Sequence, residues 1–177
     1  MEQDVELTPI HASGYFRVTP GQEVLQVLVF KYLDPQGYYW GLLETGDSRK
    51  IAEEKRILHT NMQSALDEER VEFNGFTTRP RVRTVWLEAP TASSAEVTFI
   101  ITFPARLRRG VNKYSNWYEE ETAEYPYNVV WVMPDGSRII GAKLGAPYTV
   151  VGGNILLLHI PRGTRVGGYE EIVFRIP

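Results

Sequence analysis

The chain has no cysteine in 177 residues. Disulfide bonds, thiolate zinc sites and a cysteine nucleophile are thereby excluded, while the redox compartment is left open. Long apolar runs are missing too: the longest, at 27–30, 129–133 and 155–158, are far too short to cross a bilayer as a helix. Nor is there a strong excess of charge of either sign. The net charge of −3 gives the whole molecule no attraction to nucleic acid or to an anionic membrane. The first residues, Met1-Glu2-Gln3-Asp4, are acidic and lead into no basic segment with an apolar run, so no secretory signal is expected. No G-x-S-x-G, Walker loop, H-E-x-x-H or G-x-G-x-x-G occurs. The three histidines, His11, His59 and His159, match no ligand spacing. A cytoplasmic protein without metal or cofactor is the expectation.

What is present suffices for a core, with 43% hydrophobic and 12% aromatic residues. Sustained helical period occurs once, over 48–69. At about 100° per residue, Ile51, Leu58, Met62, Ala65 and Leu66 share one face, and Glu53, Arg56, Thr60, Ser64 and Asp67 the other. Thr45, Asp47 and Ser48 offer capping oxygens. Beyond Arg70 the period changes at Val71-Glu72-Phe73, and Asn74-Gly75 supplies a turn. Such a helix must cover an apolar layer, which the strands have to provide.

Residues 1–20 carry Pro9, Gly14, Pro20 and Gly21 with weak alternation, reading as an irregular arm or short edge strand. Residues 23–32 read as a buried strand, Asp34-Pro35-Gln36-Gly37 as a type I turn, and the aromatic-rich 38–43 as the returning strand of a hairpin. Further strands are expected at 83–88, 95–103, 127–133, 138–144, 148–151, 154–160 and 170–176. In the second of these Val97, Phe99, Ile101 and Phe103 alternate with Thr98 and Thr102. Met133-Pro134-Asp135-Gly136 predicts another hairpin turn. The fold class is therefore α+β and mostly β: an N-terminal β-hairpin plus one amphipathic helix, packed on a C-terminal antiparallel β-sandwich of immunoglobulin-like outline, with Trp131 in its core. A small open barrel is the rival. The boundary falls near 74–80, dividing a hairpin-helix unit, 1–78, from a β-sandwich domain, 79–177, closely packed together.

The least usual composition lies between Arg106 and Tyr127, which reads as a long loop. Tyr114, Trp117, Tyr118 and Tyr125, beside Asn116 and Glu119, form a candidate binding surface in which rings stack on a sugar or peptide and amide and carboxylate hydrogen-bond it. The competing and favoured reading has the rings closing the core or a subunit contact, with the glutamates in water. Arg79, Arg81 and Arg83, with Arg106, Arg108 and Arg109, form a candidate basic patch. Pairing of these arginines with the acidic run 119–124 is favoured over phosphate binding, so a nucleic-acid partner is not expected. His159 reads as a hydrogen-bonded core or interface histidine rather than a base. The functional expectation is a non-enzymatic binding or assembly module, self-associating, whose contact surface is the Tyr/Trp-rich loop and whose partner is a protein or a second copy rather than a membrane. A small hydrolase or glycan-binding protein using the carboxylates of 119–124 is the alternative, and single-stranded nucleic-acid binding through the arginines the next.

Overall fold

The computed structural model describes residues 6–177; the acidic start, on which the absence of a secretory signal is argued, lies outside the described residues. The chain opens with strands β1 (Thr8–Val18) and β2 (Glu23–Leu33), then helices α1 (Tyr38–Glu44) and α2 (Ser48–Glu68). There follow β3 (Arg70–Phe73), β4 (Phe76–Thr78), β5 (Arg81–Thr91), β6 (Ser94–Pro104), β7 (Gly110–Trp117), β8 (Glu121–Thr122) and β9 (Tyr127–Val132). The last are β10 (Arg138–Lys143), β11 (Tyr148–Val151), β12 (Ile155–Ile160), β13 (Arg165–Val166) and β14 (Glu170–Ile176). They build a seven-stranded sheet, β11-β12-β9-β1-β2-β6-β5, a five-stranded sheet, β10-β14-β7-β3-β4, and the ribbon β13-β8. The fold is α+β and mostly β, sandwich-like, with no sheet closed into a barrel. Strands from both sides of residue 78 share each of the two large sheets.

Four local expectations are corrected. The turn at Asp34 does form, with Gly37 N–H donating to Asp34 O at 3.0 Å, but the chain leaves it as α1 rather than as a strand. The Asp34 side chain, only 1% exposed, accepts from Tyr38 N at 3.0 Å and Tyr39 N at 2.9 Å. It satisfies orphan N–H groups of a first helical turn, and helical spacing then turns Tyr39 and Leu42 inward. The hairpin partner of β2 is instead β1. Residues 8–18, read as an arm or edge, form a strand inside the sheet, antiparallel to β2 and parallel to β9, so the large sheet is mixed rather than antiparallel. The supposed loop 106–127 contains β7, which lies between β14 and β3. Its inward positions are polar, Asn112, Tyr114 and Asn116, so no apolar alternation announces it. The turn at Pro134 closes, with Ser137 N donating to Pro134 O at 3.0 Å, yet it joins β9 and β10 across the two sheets instead of within a hairpin.

Register defines the inner face of the large sheet. One row runs Leu156, Trp131, Phe16, Gln26, Ile101; the next runs Leu158, Val129, Gly14, Leu28, Phe99; a third runs Ile160, Tyr127, Ala12, Phe30, Val97. A seam of rings joins this face to the five-stranded sheet. Phe103 lies 6.3 Å from Phe73, Phe73 5.5 Å from Tyr114, Tyr114 4.5 Å from Trp131, and Trp131 stacks on Phe16 at 4.2 Å. Helix α2 forms as expected, Asp47 capping it through Arg49 N and Lys50 N, and sets Ile51, Leu58, Met62 and Leu66 against the core. It also covers the edge of the sheet near β5: the Gln63 amide donates to Pro80 O at 3.1 Å and accepts from Val82 N at 2.9 Å. No described helix is long and apolar enough to cross a membrane.

Because Asp34 caps α1 from a buried position, Asp34→Ala is expected to destabilise the protein by about 1–2 kcal/mol, and Asp34→Asn by less. Urea unfolding of both variants measures the difference.

Candidate functional site

Over Ala12 of β1 the sheets enclose space that a larger side chain would fill, whereas at Gly14 a Cβ would already lie 3.2 Å from the Phe16 ring and 3.3 Å from Leu28. An inner cavity of about 150 Å³ lies beside the aromatic seam, among Gln26, Glu69, Tyr114, Asn116, Tyr118 and Glu170. An outer cavity of about 320 Å³ lies over Ala12, Ser13 and Gly14 beneath 121–125. The two share Phe16, Glu69, Tyr127 and Val129 as common lining, so they adjoin as one cleft.

The period of two puts the polar groups here. Glu69 keeps the parity of Val71 and Phe73, Glu170 that of Ile172 and Phe174, and Tyr118 that of Tyr114 and Asn116. Asn116 then stands opposite Val71 on one neighbour and Glu170 on the other. Asn116 Nδ2 donates to Glu69 Oε2 at 2.9 Å, and the Tyr118 hydroxyl donates to Glu170 Oε1 at 2.6 Å. Asn116 is 7% exposed and its Oδ1 has no partner among the described residues.

The mouth is shaped by the β8–β13 ribbon. Ala123 N donates to Thr164 O at 2.8 Å, Gly168 N donates to Tyr118 O at 2.9 Å, and Arg165 pairs with Glu120. Gly167, at φ 101°, permits this closeness: a Cβ there would sit 2.5 Å from Glu119 O. Glu121, Glu124 and Tyr125 are thereby held over the outer cavity.

Burial dominates the electrostatics. Desolvation pushes the Glu69 carboxyl above its ordinary value, the Asn116 hydrogen bond opposing and Glu121 adding to the rise. Glu170 is raised for the same first reason, against the Tyr118 hydrogen bond and with a contribution from Glu69. Tyr127 is pushed up to about 12, first by burial and then by Glu170 and Glu121, and Tyr114, Tyr118 and Tyr125 are raised as well. All four remain phenols at neutral pH. Among the described residues, no Lys, Arg or His lines either cavity. Among the described residues no three His, Cys, Asp or Glu gather as a metal-binding group.

Of the residues singled out from sequence, Tyr114, Asn116 and Tyr118 line the inner cavity and Tyr125 the outer one. Tyr114, 4% exposed, belongs to the core rather than to a contact surface. Trp117 faces the other way, between the Arg70 guanidinium 3.8 Å from its ring centroid and Tyr169 at 5.0 Å. Glu119 is exposed and lines neither cavity. The arginines do not pair with the acidic run: Arg83 donates to Thr102 Oγ1 at 2.7 Å, Arg108 to Val111 O at 3.0 Å and Arg109 to Pro177 O at 3.3 Å. Arg106 lies over the Phe76 ring at 4.8 Å and Arg81 is exposed. The acidic run has Arg165 as its partner, through Glu120. His159 is exposed, with Nδ1 2.7 Å from Asn128 Oδ1. Gln26, Glu69, Tyr127 and Glu170 were not among the candidates, although the parity of the two glutamates with neighbouring core positions is a signal that sequence carries.

No family model matches the chain, and no curated protein is similar to it. Among solved structures it is similar to a chain from Parabacteroides distasonis ATCC 8503 described as a "putative protease", at 6% identity and a TM-score of 0.39, over 97% of this chain and 41% of that one.

Glu69 and Glu170 bind protons more tightly folded than unfolded. Their favourable contribution is therefore full below the ordinary value of 4.5 and is lost as pH rises through their raised folded values. The Glu170→Gln variant is expected to gain in melting temperature relative to the unsubstituted protein as pH goes from 4.5 to neutrality. Paired thermal scans across that range test the sign.

Proposed function

We propose that the chain is a non-enzymatic binding module that holds a small ligand in the cleft between its sheets. One observation carries the reading: a nine-tenths buried amide, Asn116, has an unpartnered oxygen beside two desolvated carboxylates in a cleft already open. Buried polar groups without partners are rare in folded proteins, and a preformed concave site with a few converging polar groups is the usual form of a ligand pocket. The Tyr/Trp-rich segment takes part through its inward side chains. The reading includes a cytoplasmic setting, for which the short apolar runs are the support.

Two-dimensional NMR of the full chain against a library of small polar compounds tests this. The expected result is amide shifts concentrated at Gly14, Asn116 and Tyr127 for at least one compound. Those shifts should be lost in Ala12→Leu, which fills the outer cavity, while the rest of the spectrum is kept. A library that leaves these amides unmoved overturns the proposal.

A hydrolytic reading is favoured by the upward displacement of the Glu69 and Glu170 carboxyls, since a general acid must hold its proton near neutrality. It predicts a turnover that Glu170→Gln abolishes while the ligand is still held. Self-association stays a proposal with a different surface. The edge strand β11 exposes Tyr148, Val150 and Val151, beside Leu157 of β12, and an exposed apolar edge is a template for pairing with another chain. A concentration-dependent rise in sedimentation coefficient that Val150→Lys removes is the expected outcome.

A further inference from the structure

Resting on the cleft being a binding site, we propose that its ligand is a small organic cation, an alkylammonium or alkylguanidinium. Its N–H groups would meet Asn116, Glu69 and Glu170, and its stem would lie along Phe16, Leu28 and Val129.

The first support is charge. Glu69, Glu121, Glu124 and Glu170 all line the cleft, and among the described residues no cationic side chain does. A buried carboxylate without a counter-charge is unfavourable, and the attraction between opposite charges is strongest where water is excluded. A cation entering this cleft supplies the partner that the chain itself withholds. An anion would meet four carboxylates.

The second is the balance of hydrogen-bonding groups. Asn116 donates one N–H to Glu69, and its free oxygen can only accept. The carboxylates accept as well, and the Tyr118 hydroxyl already donates to Glu170. Gln26, Tyr114 and Tyr127 bring donors of their own to the inner cavity, so the excess of acceptors lies at Asn116 Oδ1, Glu69 and Glu170, and the groups richest in donors with no acceptor are ammonium, with three N–H bonds, and guanidinium, with five.

The third is the end of α2. Leu66 and the capping Glu69 line the inner cavity, so the negative end of the helix dipole abuts it. No basic residue occupies the last turn, where Asp67 and Glu68 stand instead. A helix terminus of that kind favours a cation. Size agrees: at about 30 Å³ of liquid volume per water, the inner cavity has room for several waters or for one compact cationic head. The outer cavity, with Phe16, Leu28, Phe30 and Val129, suits an apolar stem.

The experiment titrates the full chain with butylguanidinium, butylammonium, butyrate and methyl glucoside by NMR and calorimetry, and with N-acetyl-arginine methylamide to tell a free cation from a peptide side chain. The expected result is saturable binding of at least one cation, with shifts at Asn116 and Tyr127, and no binding of butyrate or the glucoside. Glu69→Gln should weaken the cation at least about tenfold. Glu121→Gln, at an exposed position that leaves the core untouched, should weaken it to a smaller extent and covers the case in which the buried variant does not fold. Binding of butyrate or the glucoside at these residues with neither cation bound overturns the cationic assignment and leaves the cleft a binding site. If no probe binds there and the library of the preceding section is also silent, both fall.

Discussion

The rings of Phe103, Phe73, Tyr114, Trp131 and Phe16 are the contact on which the rest of the molecule depends, because they bridge the two sheets, twice crossing from one to the other, and set the distance between them. Each tilted or stacked ring pair contributes about 0.5–1.5 kcal/mol beyond the area it buries, and together they make a rigid spacer. With the sheets held apart at that seam, the neighbouring rows of β1 determine whether the interior closes. They carry Ala12 where a packed interior would put a large side chain, while at Gly14 the Phe16 and Leu28 side chains already occupy the place of a Cβ. The opening is thus a consequence of side-chain size at one register position, Ala12, beside an unyielding contact.

The same arrangement explains why the polar groups sit where they do. An interior between sheets is filled by alternate residues of each strand, so a carboxylate at an inward position of β14 or at the end of α2 is committed to the inside by parity alone. Folding then takes Glu69 and Glu170 out of water without giving either a cation. Each receives a neutral donor, an amide for Glu69 and a phenol for Glu170, which offsets part of the desolvation but leaves the charge unbalanced. Native structures tolerate such imbalance mostly where a site needs it.

Much of this was legible in the residues. Helix α2, its cap at Asp47, the strands with apolar alternation such as β6 and β14, and the mostly β class follow from period and turn chemistry. The failures have physical reasons. Segment 38–43 is rich in strand-forming aromatics, and a single buried aspartate overrides that preference by capping a helix. β7 alternates, but with Asn and Tyr inward, so a search for apolar period passes over it. β1 gave a weak signal because Ala12, Ser13 and Gly14 are small, and they are small at the floor of the cleft. The cleft was therefore written in the chain as the place where strand patterning fades. The arginine clusters carried no such structural mark, and their chemistry turned out to be local hydrogen bonding to nearby oxygens.

The parallel pairing of β1 with β9 also bears on how the chain is made. During synthesis β1 and β2 can zip together at once, but the far edge of β1 has no partner until β9 has left the ribosome, after most of the chain. For that interval the nascent protein offers an open strand edge, the surface most prone to pair with other chains. Pro9, which has no N–H to donate, and the register break between Pro9 and His11 in the pairing with β2 come just before the stretch Ala12–Arg17 that β9 takes, and the charge of Arg17 marks its other end. The strand that floors the cleft is also the one that must wait longest for its neighbour, and its sequence carries the irregularities of a strand guarded while it waits.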